Sequence, residues 1–370
     1  MKIVCSKSAL STGINTCLRA VPVRTTKPIL ECIMIDASEI DIHMISNDEE
    51  LGIDTIVEGE IIDKGKIALD AKFLSEIVRK LPDSEVTIET DEKYVATISC
   101  EKAVFTIPGK EGEDFVYLPY IEKDRNIVLS QFTLKEIIRQ TIFSIGEDDK
   151  GSNVNRKIMT GELFEVEGNN LRVVSLDSYR IAIRNVTLND SYDQIKVIVP
   201  GKSVNEISKI LTGEANSDVY IYFTQNHILF EFDDTIVVSR LIEGEFFKIN
   251  HLFNTDYNTK ISINRKEFLD CIDRATLLVK EGNKKPVIID IEESSMKLNI
   301  VSNIGKMNEE IDIMKEGNNI KIGFDPKYMI DALRVIDDEN IDLYFINAKT
   351  PCSIHDENNS YVYFVFPVNY

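Results

Sequence analysis

Histidine is scarce in this chain of 370 residues, its cysteines are widely spaced, and it has no long apolar run. The histidines are His43, His227, His251 and His355, none in an HExxH or similar ligand spacing, so no metal site is expected. Cys5, Cys17, Cys32, Cys100, Cys271 and Cys352 form no CxxC pair, which points to reduced thiols in a cytoplasmic protein and away from a disulfide framework. No stretch approaches the ~20 apolar residues that span a bilayer, so no membrane association is expected. The start, Met1-Lys2-Ile3-Val4-Cys5-Ser6-Lys7, lacks the apolar core of an export signal. There is no GxSxG. Pro200-Gly201-Lys202-Ser203 fails as a phosphate loop because Lys196, not glycine, stands five positions before Gly201. The acidic pairs Asp148-Asp149 and Asp337-Asp338 read as solvated loops before magnesium ligands. These absences leave no catalytic constellation and no cofactor. Positive charge is also short, with 42 Lys and Arg against 62 Asp and Glu and a net charge of −20. In bulk that balance opposes nucleic-acid binding, although the placement of the cations matters more than their total.

What the chain does have is a threefold internal repeat. The segments Leu69–Leu81 (LDAKFLSEIVRKL), Val199–Leu211 (VPGKSVNEISKIL) and Phe324–Ile336 (FDPKYMIDALRVI) align without gaps, at spacings of 130 and 125 residues. Lys72, Lys202 and Lys327 share a column, as do Glu76, Glu206 and Asp331, then Arg79, Lys209 and Arg334. A second set starts at Lys2, Asn126 and Lys260. In it Ser6, Ser130 and Asn264 are good N-cap residues, and Leu10, Leu134 and Phe268 are each followed four later by isoleucine, the pattern of a strand, a cap and an amphipathic helix. A third set, Ile33–Asp48, Leu163–Asp177 and Val287–Asn303, reads as hairpins, with the clearest turn at Glu167-Gly168-Asn169-Asn170. The order strand, helix, hairpin, strand, helix, strands thus occurs three times. It predicts an α+β fold of three domains, 1–120, 125–250 and 257–370, each an antiparallel sheet with two helices on one face.

Six predicted helices (7–21, 72–81, 132–143, 202–211, 265–276 and 327–336) together carry +7, which leaves −27 on the rest. Residues seven apart share a helix face. Lys72 with Arg79, Lys202 with Lys209 and Lys327 with Arg334 therefore form a basic stripe in each repeat. A solvated face with i,i+4 ion pairs, Lys72 to Glu76 for example, is the plainer reading of any one helix. Shared across three repeats, the stripe points to a polyanion. Helices pack ~9 Å apart, so six closed into a circle leave almost no hole, whereas twelve leave one of ~25 Å, wide enough for a duplex. A ring around DNA would then need two chains in head-to-tail contact.

With the repeats and stripes in hand, the whole chain resembles the β subunit of bacterial DNA polymerase III, the sliding-clamp family. The supporting segments are Leu69–Leu81, Leu163–Ile181 (LFEVEGNNLRVVSLDSYRI), Ser239–Gly244 (SRLIEG), Phe324–Tyr328 (FDPKY) and Tyr363–Tyr370 (YFVFPVNY). The resemblance implies three clamp-fold domains with sheets outside and helices inside, in a head-to-tail dimeric ring. It implies a non-catalytic processivity factor on double-stranded DNA. Its partners would be the replicative polymerase, clamp loader and repair proteins, captured as short hydrophobic peptides between the second and third domains. Carried over by position, the stretch Leu176-Asp177-Ser178-Tyr179-Arg180-Ile181 resembles the family's Thr-Asp-Gly/Ser-His-Arg-Leu wall. Met159 matches an apolar position before it, Tyr328 a gating tyrosine, Pro351 a rim residue, and Phe364-Val365-Phe366-Pro367-Val368 the apolar tail; Phe247 and Leu252 complete the pocket. Leu176 and Tyr179 replace the usual Thr and His, Phe247 a usual proline, and His251 a frequent arginine. Phe364 and Phe366 are pocket residues or simply a last core strand, or both, since alternate strand residues face opposite ways. Arg180 is a ligand for a peptide carboxylate or a domain-interface ion pair.

The expected DNA-facing positions are the three stripes and Arg139, together with Arg24 and the loop from Asp148 to Arg156, which supplies Lys150 and Arg156; Arg24 and the loop resemble family contact positions, although an ordinary solvated loop reads the same way. A sliding ring should touch phosphates and no base edges. The dimer seam is expected to join Ile77, Phe105 and Ile107 to Leu277 and Leu278. Two other readings stay open: an enzyme with a site between repeats, which should break the repeat with a cluster of unlike polar residues, and a clamp-like scaffold that no longer encircles DNA. No nucleotide motif appears, so any ATP use belongs to a loader.

Overall fold

Helix starts follow from their caps. In the computed structural model, which describes residues 1–147, 154–253, 256–279 and 285–370, the Ser6 hydroxyl accepts from the Ala9 amide at 3.1 Å, Ser130 from Thr133 at 3.1 Å and Asn264 from Glu267 at 3.0 Å. These open α1 (Lys7–Cys17), α3 (Gln131–Thr141) and α6 (Arg265–Thr276). Asp70 and Asp325 do the same for α2 (Ala71–Lys80) and α7 (Pro326–Val335). Among the described residues the remaining α-helices are α4 (Val154–Met159) and α5 (Gly201–Ile210). Each repeat helix buries one apolar stripe; in α2 it is Ala71, Leu74, Ile77 and Val78, with Lys72, Arg79 and Lys80 on the exposed side. Among the described residues no helix is long and apolar enough to cross a membrane.

Among the described residues the strands form four sheets, and their pairings are antiparallel. The chain divides into two units, residues 1–134 with 206–241, and 135–205 with 242–370. The first unit holds a five-stranded sheet that ends on the strand Ala103–Pro108, and a nine-stranded sheet. In the nine-stranded sheet Leu51–Val57 of the first repeat pairs with Thr235–Arg240 of the second, and the Thr55 and Thr235 hydroxyls lie 2.8 Å apart. The second unit holds a seven-stranded sheet, in which Arg180–Arg184 pairs with Tyr361–Val365, and a four-stranded sheet that ends on Gly305–Asp312. Sheets therefore run across the limits between repeats.

Two hairpins follow the sequence reading, Cys32–Asp36 with Ile42–Asn47 and Val287–Ile291 with Ser295–Ser302. The third is less plain, because Gly161–Leu176 is one continuous stretch of extended chain. Residues seven apart on a straight strand are ~23 Å apart. Yet the Arg172 guanidinium reaches the Glu165 carboxylate at 2.8 Å, so the chain folds back between them. Gly168, at φ 60°, sits at the reversal, where a left-handed backbone favours glycine. One expectation needs correcting: the Asp148–Arg156 loop ends early, because Val154, Asn155 and Arg156 already belong to α4.

The core of the third repeat packs α6 and α7 against the sheets through Phe268, Ile272, Met329 and Leu333. Replacing the fully buried Phe268 with alanine should lower stability by about 3–5 kcal/mol, read in urea titrations. A second expectation concerns Glu162, whose carboxyl is fully buried beside the Thr141 hydroxyl; burial pushes it up to about 8. The folded state then holds a proton that the unfolded chain releases near the ordinary carboxyl value of 4.5. Stability should fall as pH rises from about 4.5 through 8. Glu162→Gln should flatten that slope in melting curves taken from pH 5 to 8.5; parallel profiles for the two proteins would refute it.

Candidate functional site

The site is built around a tight turn. Asp177 Oδ1 accepts from the amides of Tyr179 at 2.7 Å and Arg180 at 3.0 Å, which fixes the reversal between Leu176 and Ile181. Arg180 is then aimed inward, 6% exposed. Its guanidinium donates to Asp177 Oδ2 at 3.0 Å, to Asp331 Oδ2 of α7 at 2.5 Å and to the Phe143 carbonyl at 2.6 Å. It also lies over the rings of Phe143 and Tyr328, 5.4 and 4.7 Å from their centroids. Burial works against its charge, but the Tyr363 hydroxyl and the two carboxylates outweigh it and hold the group protonated. Of the two readings of Arg180, the geometry is that of an ion pair joining the second repeat to the third. Tyr328 stacks on Tyr179, centroids 5.6 Å apart and 17° between planes. Its phenol is pushed up to about 12 by burial and by the Asp177 and Asp325 carboxylates, so it stays neutral.

Beside this stack lies an apolar cluster. Leu176, Ile181 and Phe364 are buried in it, and Met159, Phe247, Leu252 and Phe366 pack against it partly exposed. Val365 points the other way, into the core of the third repeat. The tail is thus a core strand on one face and a cluster wall on the other, and the Phe366 amide donates to the Tyr179 carbonyl at 2.9 Å. Pro367 and Val368 are half-buried, and the Val368 amide is tied to the Gly323 carbonyl at 2.9 Å. Pro351 lines a groove of about 410 Å³ with His251, Phe253, Tyr344 and His355, which shares Leu252 and Phe364 with the cluster.

The stripe residues Lys72, Arg79, Lys202, Lys209, Lys327 and Arg334 are all exposed, as are Arg24 and Arg156. Lys209 also pairs with Glu206 at 2.7 Å, and Arg334 with Asp273 of α6 at 3.4 Å. Arg139 is different. It is half-buried and held by Glu136 and Asp337, both at 2.6 Å, so its charge is largely neutralised within the chain. Lys150 lies outside the described residues. Of the expected seam residues, Phe105 is 39% and Leu277 77% exposed, Ile107 and Leu278 are intermediate, and Ile77, at 9%, is packed inside its own domain. Sequence reasoning missed Phe143 and Phe253, which sit at no repeat column of note, and it took Asp331 for a helix-surface charge. The repeat itself offered that misreading, because Glu76 and Glu206 hold the same column.

Comparison with known proteins bears on the chain as a whole. Profiles of the N-terminal, central and C-terminal domains of the DNA polymerase III beta subunit match residues 1–119, 128–248 and 250–369. A beta sliding clamp of Staphylococcus epidermidis is 34% identical over 348 residues, 91% of each chain, and one of Staphylococcus aureus 33% over 361 residues, 95% of this chain and 94% of that one. The crystal structure of a DNA polymerase III beta subunit from Eubacterium rectale superposes with a TM-score of 0.96 at 59% identity, covering 100% of both chains. The Bacillus subtilis DNA polymerase sliding clamp does so at 0.95 and 34%, covering 100% of this chain and 99% of that one. Three clamp domains in order, matched over nearly the full length, place this chain in the DNA polymerase III beta subunit family, the beta sliding clamps.

Proposed function

We propose that this chain closes head to tail with a second copy into a ring around duplex DNA in the cytoplasm. There it tethers the replicative polymerase, the clamp loader and repair proteins through short hydrophobic segments seated beside Tyr179 and Phe366. It is a processivity factor without catalysis of its own, in three domains taken as 1–120, 125–250 and 257–370. The observation that carries this reading is the basic stripe found on one helix of each repeat, in a family of sliding clamps. Spaced Lys and Arg on exposed helix faces suit phosphates, which lend affinity without sequence preference. A chain otherwise so acidic would repel DNA from its remaining surface.

Ring closure is supported by two sheet edges. Ala103–Pro108 ends the five-stranded sheet and Gly305–Asp312 ends the four-stranded one, and each offers an unfilled ladder edge to another strand. The exposed Phe105 and Leu277 add apolar contact there, with Ile107 and Leu278 beside them; Ile77 contributes little. A contact between unlike edges is heterologous and closes when its rotation allows.

Light scattering should give a mass twice the 42.1 kDa of the chain, stable on dilution. Loaded by a clamp loader with ATP, the protein should stay on nicked circular DNA and leave when the circle is cut. A monomer that ignores circles under those conditions would sink the ring. In the peptide site, Phe366→Ala should weaken binding of a hydrophobic peptide about tenfold, a loss of about 1.4 kcal/mol, while the dimer mass stays unchanged.

A further inference from the structure

A buried acid lies against the end of α3. Glu162 is fully buried, and neither of its carboxyl oxygens accepts a hydrogen bond from any described residue. Its polar neighbour is the hydroxyl of Thr141, the last residue of α3. A hydroxyl has one proton to give. Thr141 gives it to the Ile137 carbonyl at 2.8 Å, so toward Glu162 it offers lone pairs alone. A carboxylate there would face an acceptor, whereas a carboxylic acid can donate to it. Burial acts in the same direction and pushes the carboxyl up to about 8. The elements around Glu162 present Gln140, Thr141 and Ser144 from α3 and the turn after it, Ser175 from its own stretch of strand and Val199 from the paired strand. Charged groups on those elements have other partners: Arg139 has Glu136 and Asp337, Glu165 has Arg172 and Lys196, Arg180 has Asp177 and Asp331, and Arg184 has Asp356.

Thr141 also leads into the joint. Its carbonyl accepts from the Ser175 hydroxyl. Two residues on, in the turn Ile142–Ser144, the Phe143 carbonyl accepts from Arg180 at 2.6 Å. Beyond the turn the Gly146 amide donates to the Met159 carbonyl at 2.7 Å. If Glu162 ionises, the Thr141 hydroxyl can serve the carboxylate only by leaving Ile137, and that loosens the helix end from which Phe143 follows. We propose that the proton on Glu162 is a latch for the Arg180 anchor. With the acid intact, Thr141 and the turn after α3 hold the Phe143 carbonyl on Arg180. When the proton passes to solvent, the turn opens, Arg180 loses one of its three partners, and the Tyr179–Tyr328 pair moves with it. The shape of the site beside Tyr179 is therefore set by pH before any partner reaches it.

The sign follows from the two forms. The latched form keeps the proton up to about pH 8, while an opened turn, with Glu162 in water, gives it up near 4.5. The open fraction rises about tenfold per pH unit between those limits and levels off above them. Amide exchange in the full-length protein, followed by residue from pH 5.5 to 9 and corrected for intrinsic rates, reads this directly. The Gly146 amide should lose protection about tenfold per unit up to about pH 8, and so should the Arg180 amide, which donates to Asp177 Oδ1. Both should exchange faster than the Ile272 amide inside α6, which reports unfolding of the whole repeat. Glu162→Gln, whose amide donates to Thr141 at any pH, and Glu162→Met, which has nothing to ionise, should each flatten the Gly146 profile. The infrared carbonyl band of a protonated carboxyl should be present at pH 6.5 and missing in Glu162→Gln. A Gly146 profile as flat in the parent as in the variants would overturn the proposal. So would a Gly146 response that Arg180 does not share, a Gly146 rate equal to that of Ile272, or no such infrared band in the parent. Melting curves at pH 5.5 show that the variants fold, and if Glu162→Met does not, the near-isosteric Glu162→Gln decides alone.

Discussion

The junction of the second and third repeats depends on one buried cation. Arg180 is tied to its own turn by Asp177, to α7 by Asp331 and to the turn after α3 by the Phe143 carbonyl, between two aromatic faces. A guanidinium spreads its donors over three nitrogens in a planar fork and can serve three elements at once, whereas lysine gathers its three on one nitrogen. Removing one partner of such a buried pair leaves the other charge stranded, a penalty of about 3–5 kcal/mol. Tyr328 stands on α7 three residues before Asp331, and it stacks on the residue before Arg180. The same guanidinium therefore sets both the joint and the position of the aromatic pair at the mouth of the apolar cluster. α7 also carries Lys327 and Arg334 on its exposed side, so the surface read as DNA-facing and the surface read as peptide-binding share a rigid element.

Charge is divided by element in this chain. The helices that hold the stripes bury one apolar face and expose cations on the other, while the strands and loops carry the acidic excess. Some of that basic charge is spent internally. Arg139 is taken by Glu136 and Asp337, and Lys209 leans on Glu206. What stays on the surface is a modest, spaced set of cations, and that suits loose contact with phosphate better than tight capture.

Much of the fold was legible because the repeat was. Caps at Ser6, Ser130 and Asn264, the helices they open and two of the three hairpins stand where the pattern put them. The turn at Gly168 was legible from its residues, and the Arg172–Glu165 contact is its physical mark. The continuity of the sheets was not legible. Periodicity within a strand reports which face is buried, and it says nothing about which strand lies beside it, so the pairing of Leu51–Val57 with Thr235–Arg240 left no trace in the pattern. At the site, the apolar members were found from the tail and from Leu176 to Ile181. Asp331 and Phe143 were not, because their roles come from a partner far away in sequence. The groove walls at Tyr257, Tyr344 and His355 belong to different segments and come together only through the register of their strands.

Sheets that run through repeat limits also decide how far this chain can be taken apart. Each repeat looks like a module by sequence, with its own helices and hairpin, and invites excision as one. Cut before the third repeat, however, the remaining chain would lose Tyr361–Val365 and bare the backbone edge of Arg180–Arg184 along with the apolar face that Phe364 covers. Such an edge seeks another strand. The unit that recurs in the sequence is the single repeat, but the unit that can be expressed, shuffled or grafted is larger, and gene fragments cut at the repeat borders would be expected to self-associate before they could work as parts.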